Sequence, residues 1–261
     1  MEAPQDVRGC CAAVYASDWV RLLLGDSFHP GGTRLTEHLG RLLGLDARSR
    51  VLDVATGRGT SALHLARTFG CEVLGIDLAA TSVEAAREAA RTAGLDGRVR
   101  FEVGDAETLE VDGGFDAAIC ECAFCTFPDK AAAAAAMARA VRPGGRIGLG
   151  DLVRNGPLPV ELEGLLAWVA CVADALPLEG YRCHLEEAGF SVETVEDHRA
   201  VLAEMVGDIR TRLTAAELMA RLRRVALPGA DFARARAMAR AAMDAVREGT
   251  LSYALLIGSR R

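Results

Sequence analysis

Three cysteines, Cys120, Cys122 and Cys125, fall within the stretch ICECAFCTFPDK, residues 119–130. Thiols so close together offer packing, a disulfide, a metal site or a soft nucleophilic centre. The chain holds eight cysteines, and its start, MEAPQDVRGCC, lacks the apolar run of a secretory signal. The expected location is therefore cytoplasmic, where thiols stay reduced and metal or thiol chemistry gains weight over disulfide staples. The Cys-x-Cys-x-x-Cys spacing is not the paired Cys-x-x-Cys of a zinc ribbon. Cys71 opens an apolar stretch and reads as core, and Cys183 lies on an expected helix without an assigned role.

A second group of residues carries a different chemistry. VLDVATGRGTSALHLA runs as strand, acid, Gly-x-Gly and helix, with Asp53, Gly57 and Gly59 at the turn. Glycines there let the backbone turn tightly and approach a ligand. Asp77 ends the next strand, where a carboxylate can accept from both hydroxyls of a ribose. Asp105 ends the third strand and can address an adenine amine. Acids and glycines at three successive strand ends point to a nucleoside site; the plainer alternative is that the acids only terminate strands. His29 in FHPGG offers a base or a helix turn, and His64 reads as structural. Tyr15 and Trp19 suit either a cap over the cofactor or the core.

The elements that must position these residues follow from hydrophobic periodicity. Residues 6–45 read as helical, broken at His29–Gly32. Strands are expected at 50–56, 71–78, 99–106, 115–121 and 146–152, with helices at 60–70, 82–95 and 129–141 between them. Such alternation implies a parallel sheet covered on both faces, with ligands at the carboxyl ends of its strands. Helices at 159–175 and 178–188, a sixth strand at 191–199, two helices at about 200–225 and 231–248, and a last strand at 251–260 complete the order. This gives a single domain over 1–261: a cap (1–48), a cofactor core (49–152), lid helices (153–190) and a helical insertion (199–250). Cys122 and Cys125 fall in the loop after strand four and Cys171 on the helix of 159–175.

Composition sets bounds. Hydrophobic residues are 51% and charged residues 25% of the chain, which fits a globular fold. A net charge of -6 argues against a nucleic-acid partner. No apolar run is long enough to span a membrane. The Arg-rich stretch 210–224 reads as a solvated helix face.

The span 50–152 resembles the class I S-adenosylmethionine-dependent methyltransferases. Their usual Asp-x-Gly-x-Gly-x-Gly stands here as Asp53-Val54-Ala55-Thr56-Gly57-Arg58-Gly59, with Ala55 at the first glycine position. The resemblance implies an α/β, Rossmann-like seven-stranded sheet with an N-terminal helical cap and helical insertions. It implies S-adenosyl-L-methionine as cofactor, held by the Asp53–Gly59 loop, with Gly57 and Gly59 against the methionine part. Asp77, followed by Leu78, then binds the ribose, Asp105 and Ala106 flank the adenine, and Glu121 lies near the methyl donor. A nicotinamide dehydrogenase competes for the loop, but the chain has no full Gly-x-Gly-x-x-Gly and no Tyr-x-x-x-Lys pair, Lys130 being its only lysine.

Over about residues 50–190 the chain also resembles arsenite methyltransferases, where a cysteine in the loop after strand four and another on the helix after strand five bind trivalent arsenic. The matching positions are Cys122 and Cys171, with Cys125 as a third ligand and Cys10 or Cys11 as further ones. This implies As(III) as substrate, a thiol reductant as partner, and direct transfer to a soft centre that has no proton to lose. Two alternatives stand beside it. One is C- or O-methylation of a small organic metabolite of quinone or natural-product type, which needs a base such as His29 or Glu121. The other is a non-catalytic thiol-based metal binder.

Overall fold

The sheet grows from short β-branched and aliphatic runs separated by glycine turns. In the computed structural model, which describes residues 29–162, 171–222 and 231–261, seven strands form one sheet. They are β1 (Arg50–Val54), β2 (Glu72–Asp77), β3 (Val99–Val103), β4 (Phe115–Glu121), β5 (Val141–Arg154), β6 (Phe190–Asp197) and β7 (Leu251–Arg260). Their order is β3-β2-β1-β4-β5-β7-β6. Strand β7 runs antiparallel to β5 and β6, and the other pairings are parallel. The order reverses direction between β1 and β4, so the ends of these two strands border the crevice where such sheets take ligands.

The described helices are α1 (Gly32–Leu42), α2 (Thr60–Phe69), α3 (Ala80–Ala93), α4 (Lys130–Ala140), α5 (Leu178–Glu187), α6 (Arg199–Arg221) and α7 (Phe232–Glu248). The alanine run forms α4, capped by the Asp129 side chain, which accepts from the Ala132 amide at 2.8 Å. Central-strand side chains such as Leu52, Ile119 and Leu149 are wholly buried, each worth about 1.5–3 kcal/mol relative to exposure. The insertion before the last strand is α6 and α7, packed on each other and on β7.

Several boundaries differ from expectation. RPGG does not separate helix and strand: β5 begins at Val141, and the pairing with β4 jumps from Phe115–Val141 to Ala117–Arg146, so residues 142–145 bulge out of register. Residues 198 and 199 leave β6 to open α6. The helix expected over 159–175 is not continuous. A 3-10 turn covers Val160–Leu162 and residues 163–170 lie outside the described part. Cys171 stands in a turn with φ 62, a left-handed backbone that stops a helix. Cys10, Cys11, Tyr15 and Trp19 also lie outside the described residues.

The stretch after Cys171 is fastened to β5 from α5. The buried Tyr181 hydroxyl donates to the Leu152 carbonyl at 2.6 Å and accepts from the Leu176 amide at 3.2 Å. The Arg154 amide donates to the Leu176 carbonyl at 2.9 Å. Tyr181→Phe leaves two backbone groups without this partner, at a cost of about 1–3 kcal/mol. Urea unfolding should show a lower midpoint with an unchanged slope; an unshifted midpoint would show that the clamp contributes nothing.

Candidate active site

The turn after β1 owes its shape to three left-handed residues, Ala55 (φ 59), Gly57 (φ 57) and Gly59 (φ 79). Ala55 adopts the conformation that glycine holds most cheaply, which accounts for the glycine usually found there. A Cβ on Gly59 would sit 2.4 Å from Cζ of Phe101, so this glycine is also required for packing. A Cβ on Gly57 would meet nothing within 4 Å, which leaves that side of the loop open to a ligand. Gly59 caps α2, whose first-turn amides lack intrahelical partners and suit negative charge.

Asp53 lies beneath this turn and braces it. Its carboxyl accepts from the Thr56 hydroxyl at 2.5 Å. Burial, with Glu121 and Asp77 nearby, holds its pKa up to about 8 despite that bond. Asp77 ties the second strand to the loop, accepting from the Gly57 amide at 2.8 Å and the Ala79 amide at 2.9 Å. Burial raises its pKa too, and those amides oppose the shift. Leu78 beside it is 46% exposed, a bare apolar side chain next to a carboxylate. Asp105 comes alongside because the Gly104 amide donates to the Asp77 carbonyl at 3.0 Å. Its carboxylate accepts from the Glu107 amide at 2.9 Å and turns the chain at Ala106. The donor set fits an adenosyl group: carboxylates at two adjacent strand ends, an exposed apolar face between them, and an open glycine turn.

Glu121, the last residue of β4, collects a buried polar cluster. The Thr36 hydroxyl on α1 lies 3.0 and 3.2 Å from its two oxygens, and the Ser61 hydroxyl on α2 donates to Oε2 at 2.7 Å. His29 completes the group, with Nε2 3.3 Å from Thr36, 3.4 Å from Ser61 and 3.7 Å from Glu121 Oε2. Its Nδ1 lies 3.1 Å from the Pro30 carbonyl, which only accepts, so Nδ1 carries hydrogen and Nε2 is the atom left to gain or lose one. Each hydroxyl has a single hydrogen and can turn it toward the imidazole or the carboxylate. The cluster can therefore take up a proton at Nε2 and balance it with Glu121. Thr36 and Ser61 carried no signal in the sequence, since isolated hydroxyls on amphipathic helices are common.

A second cluster lies along β5. Cys122 has φ 55, and its amide donates to the Gly150 carbonyl at 2.7 Å. The Cys171 thiol reaches the Cys122 carbonyl at 3.4 Å, so the two expected partners do meet. Cys125 is buried, its amide donating to Asp151 at 2.8 Å. The Cys122 thiol is held well above its usual pKa by its contact with Cys171 and by burial. Burial first, then Cys171, does the same to Cys125. Among the described residues these sulfurs do not all converge to within 4.8 Å of one another. Cys120 is wholly buried in β4, and Cys71 is likewise core. Two further residues escaped sequence reasoning. Asp151 is a fully buried acid within an apolar strand, and that mismatch was its only visible trace. Tyr253 on β7 is buried with a hydroxyl that has no hydrogen-bond partner among the described residues, close over Gly150.

Burial and the nearby Cys171 raise the Asp151 carboxyl from 3.8 to about 7. The folded protein therefore keeps this proton across that window while the unfolded chain loses it. Stability from this group falls as pH rises from 3.8 toward about 7 and levels off above. Asp151→Asn removes the penalty, so the melting temperature of the variant relative to the parent should climb across that window. A difference that stays flat with pH would show that Asp151 ionises normally.

The comparisons agree with this geometry. Residues 51–145 match the family described as methyltransferase domain. The 27-O-demethylrifamycin SV methyltransferase of Amycolatopsis mediterranei is 36% identical over 170 residues, which cover 63% of this chain and 62% of that enzyme. Methyltransferase GfsG of Streptomyces halstedii is 31% identical over 200 residues, covering 70% of this chain and 72% of its own. Several curated relatives are thus matched over less than two thirds of their length. The solved geranyl diphosphate C-methyltransferase of Streptomyces coelicolor A3(2) superposes with a TM-score of 0.78 over all of both chains at 17% identity, a likeness of fold. With the Gly57 turn, Asp77 at the end of β2, Asp105 in the loop after β3 and the seven-stranded order in place, the chain belongs to the class I S-adenosylmethionine-dependent methyltransferases.

Proposed function

We propose that this protein methylates a hydroxyl oxygen of a small organic metabolite of natural-product type. The observation that carries the reading is the convergence of His29, Thr36 and Ser61 on Glu121 at the end of β4. S-adenosylmethionine, when bound, supplies an electrophilic methyl group. The Asp77 carboxylate and the open Gly57 turn would hold its nucleoside and methionine parts. An alcohol is a poor nucleophile until its proton leaves, and His29 Nε2 would receive it. Glu121 steadies the resulting imidazolium, and the two hydroxyls reorient to face the carboxylate. Burial of the group strengthens these interactions and keeps bulk water from competing. The relatives support the same class, since the rifamycin enzyme is named for methylation of an organic oxygen.

A second reading, methylation of trivalent arsenic, is favoured by one observation: Cys171 meets Cys122, with Cys125 close by. It stands second because, among the described residues, the sulfurs of Cys122, Cys125 and Cys171 do not all lie within 4.8 Å of one another. The rifamycin and sarcosine/dimethylglycine enzymes among the relatives are moreover named for organic acceptors.

Formation of S-adenosylhomocysteine with a panel of hydroxylated polyketides and quinols, and separately with arsenite plus glutathione, separates the two. Turnover is expected with an organic acceptor and not with arsenite. His29→Ala should then lower kcat by about 100-fold or more, within the usual range for a lost proton acceptor, while leaving cofactor affinity unchanged. Turnover with arsenite alone, abolished by Cys122→Ser or Cys171→Ser, would reverse the order of the two readings.

A further inference from the structure

Among the described residues outside the active site, one group of side chains has the composition of a transition-metal centre. His38 on α1, Glu196 near the end of β6 and His198 at the N-cap of α6 bring their donor atoms within 4.8 Å of one another. Both imidazoles present Nε2 to the same carboxylate oxygen, Oε2 of Glu196, at 2.7 Å for His38 and 3.0 Å for His198. The rings meet edge to face, with centroids 5.9 Å apart, so they approach the oxygen from different directions. The His38, Glu196 and His198 side chains are 40%, 30% and 19% exposed, open enough for an ion to enter and for water to complete its shell.

We propose that His38, Glu196 and His198 bind a divalent transition-metal ion of zinc type. Two imidazole nitrogens and one carboxylate oxygen are a donor set that such ions favour over calcium or magnesium. Tetrahedral zinc, with bonds of roughly 2.0–2.2 Å, needs neighbouring donor atoms about 3.3 Å apart. The observed 2.7 and 3.0 Å separations therefore open by only a few tenths of an ångström, within reach of small side-chain rotations. The ion takes the lone pair of each Nε2, so each bound ring carries its hydrogen on Nδ1: an imidazolium releases its Nε2 proton to solvent, and a neutral ring moves that hydrogen from Nε2 to Nδ1.

The three residues lie far apart in sequence, and the ion would tie α1 to the β6–α6 junction. Helix α1 also carries Thr36, two residues from His38, which bonds to Glu121. An ion here would therefore fix the helix that closes one side of the polar cluster. Sequence pattern shows none of this, because the ligands belong to separate elements and only Glu196 and His198 are near neighbours.

Titration with cobalt(II), which takes zinc sites and gives intense visible absorption in tetrahedral surroundings, tests the proposal. The 261-residue chain with Cys122→Ser and Cys171→Ser serves as background, so that thiolate binding is reduced and any that remains is recognised by its charge-transfer band. The expected result is one cobalt per chain without that band, displaced by zinc, together with a rise in melting temperature. His38→Ala, and separately the gentler Glu196→Gln, should abolish the visible bands while circular dichroism stays unchanged. Absence of stoichiometric binding, or binding that survives both substitutions, overturns the proposal. A site that shows only the thiolate band overturns it as well.

Discussion

Asp53, Asp77 and Glu121 sit on three adjacent strands, β1, β2 and β4, and all at the same end of the sheet. Bringing carboxylates together away from water is costly, and Asp53 shows it: burial and its two acidic neighbours hold its proton to about 8. The local structure answers that cost. The Gly57 and Ala79 amides face Asp77, the Thr56 hydroxyl faces Asp53, and two hydroxyls with an imidazole face Glu121. The left-handed turn at 55–59 exists to aim those groups. A ligand with positive charge on a sulfonium and an amine, and with ribose hydroxyls to donate, complements the same end of the sheet.

The polar arrangement requires a rigid scaffold, and the apolar residues provide it. Phe101 packs so closely on Gly59 that the turn has no slack. Leu39 on α1 is buried against Gly148, where a Cβ would come within 2.7 Å of it, so the helix that carries Thr36 lies tight on β5. Function at this end thus depends on small residues that permit close approach, as much as on the acids themselves.

Much of this was legible in the sequence. The Gly57-x-Gly59 turn and the acids at positions 77 and 121 announce themselves at the ends of short apolar strands, whereas Asp105, expected to end the third, stands two residues beyond its observed end at Val103. The meeting of Cys122 with Cys171 was also expected, though not the conformation that brings it about. Cys171 stands in a left-handed turn rather than on a helix, and hydrophobic periodicity cannot register a single φ of 62. Asp151 was lost inside an apolar run that read as plain strand, and Tyr253 as one more aromatic in the core. The partnerships of Thr36 with Glu121 and of His38 with Glu196 span 85 and 158 residues. Contacts at that range depend on how the layers stack, and no local pattern encodes them.

Titration calorimetry of S-adenosylmethionine against the parent protein and Asp77→Asn tests the central claim, that the acidic end of the sheet is the nucleoside site. Charged hydrogen bonds of this kind are worth about 1.5–3 kcal/mol each. The variant should therefore bind about 10- to 100-fold more weakly while staying folded. Equal affinity in the two proteins would contradict the account and place the cofactor elsewhere.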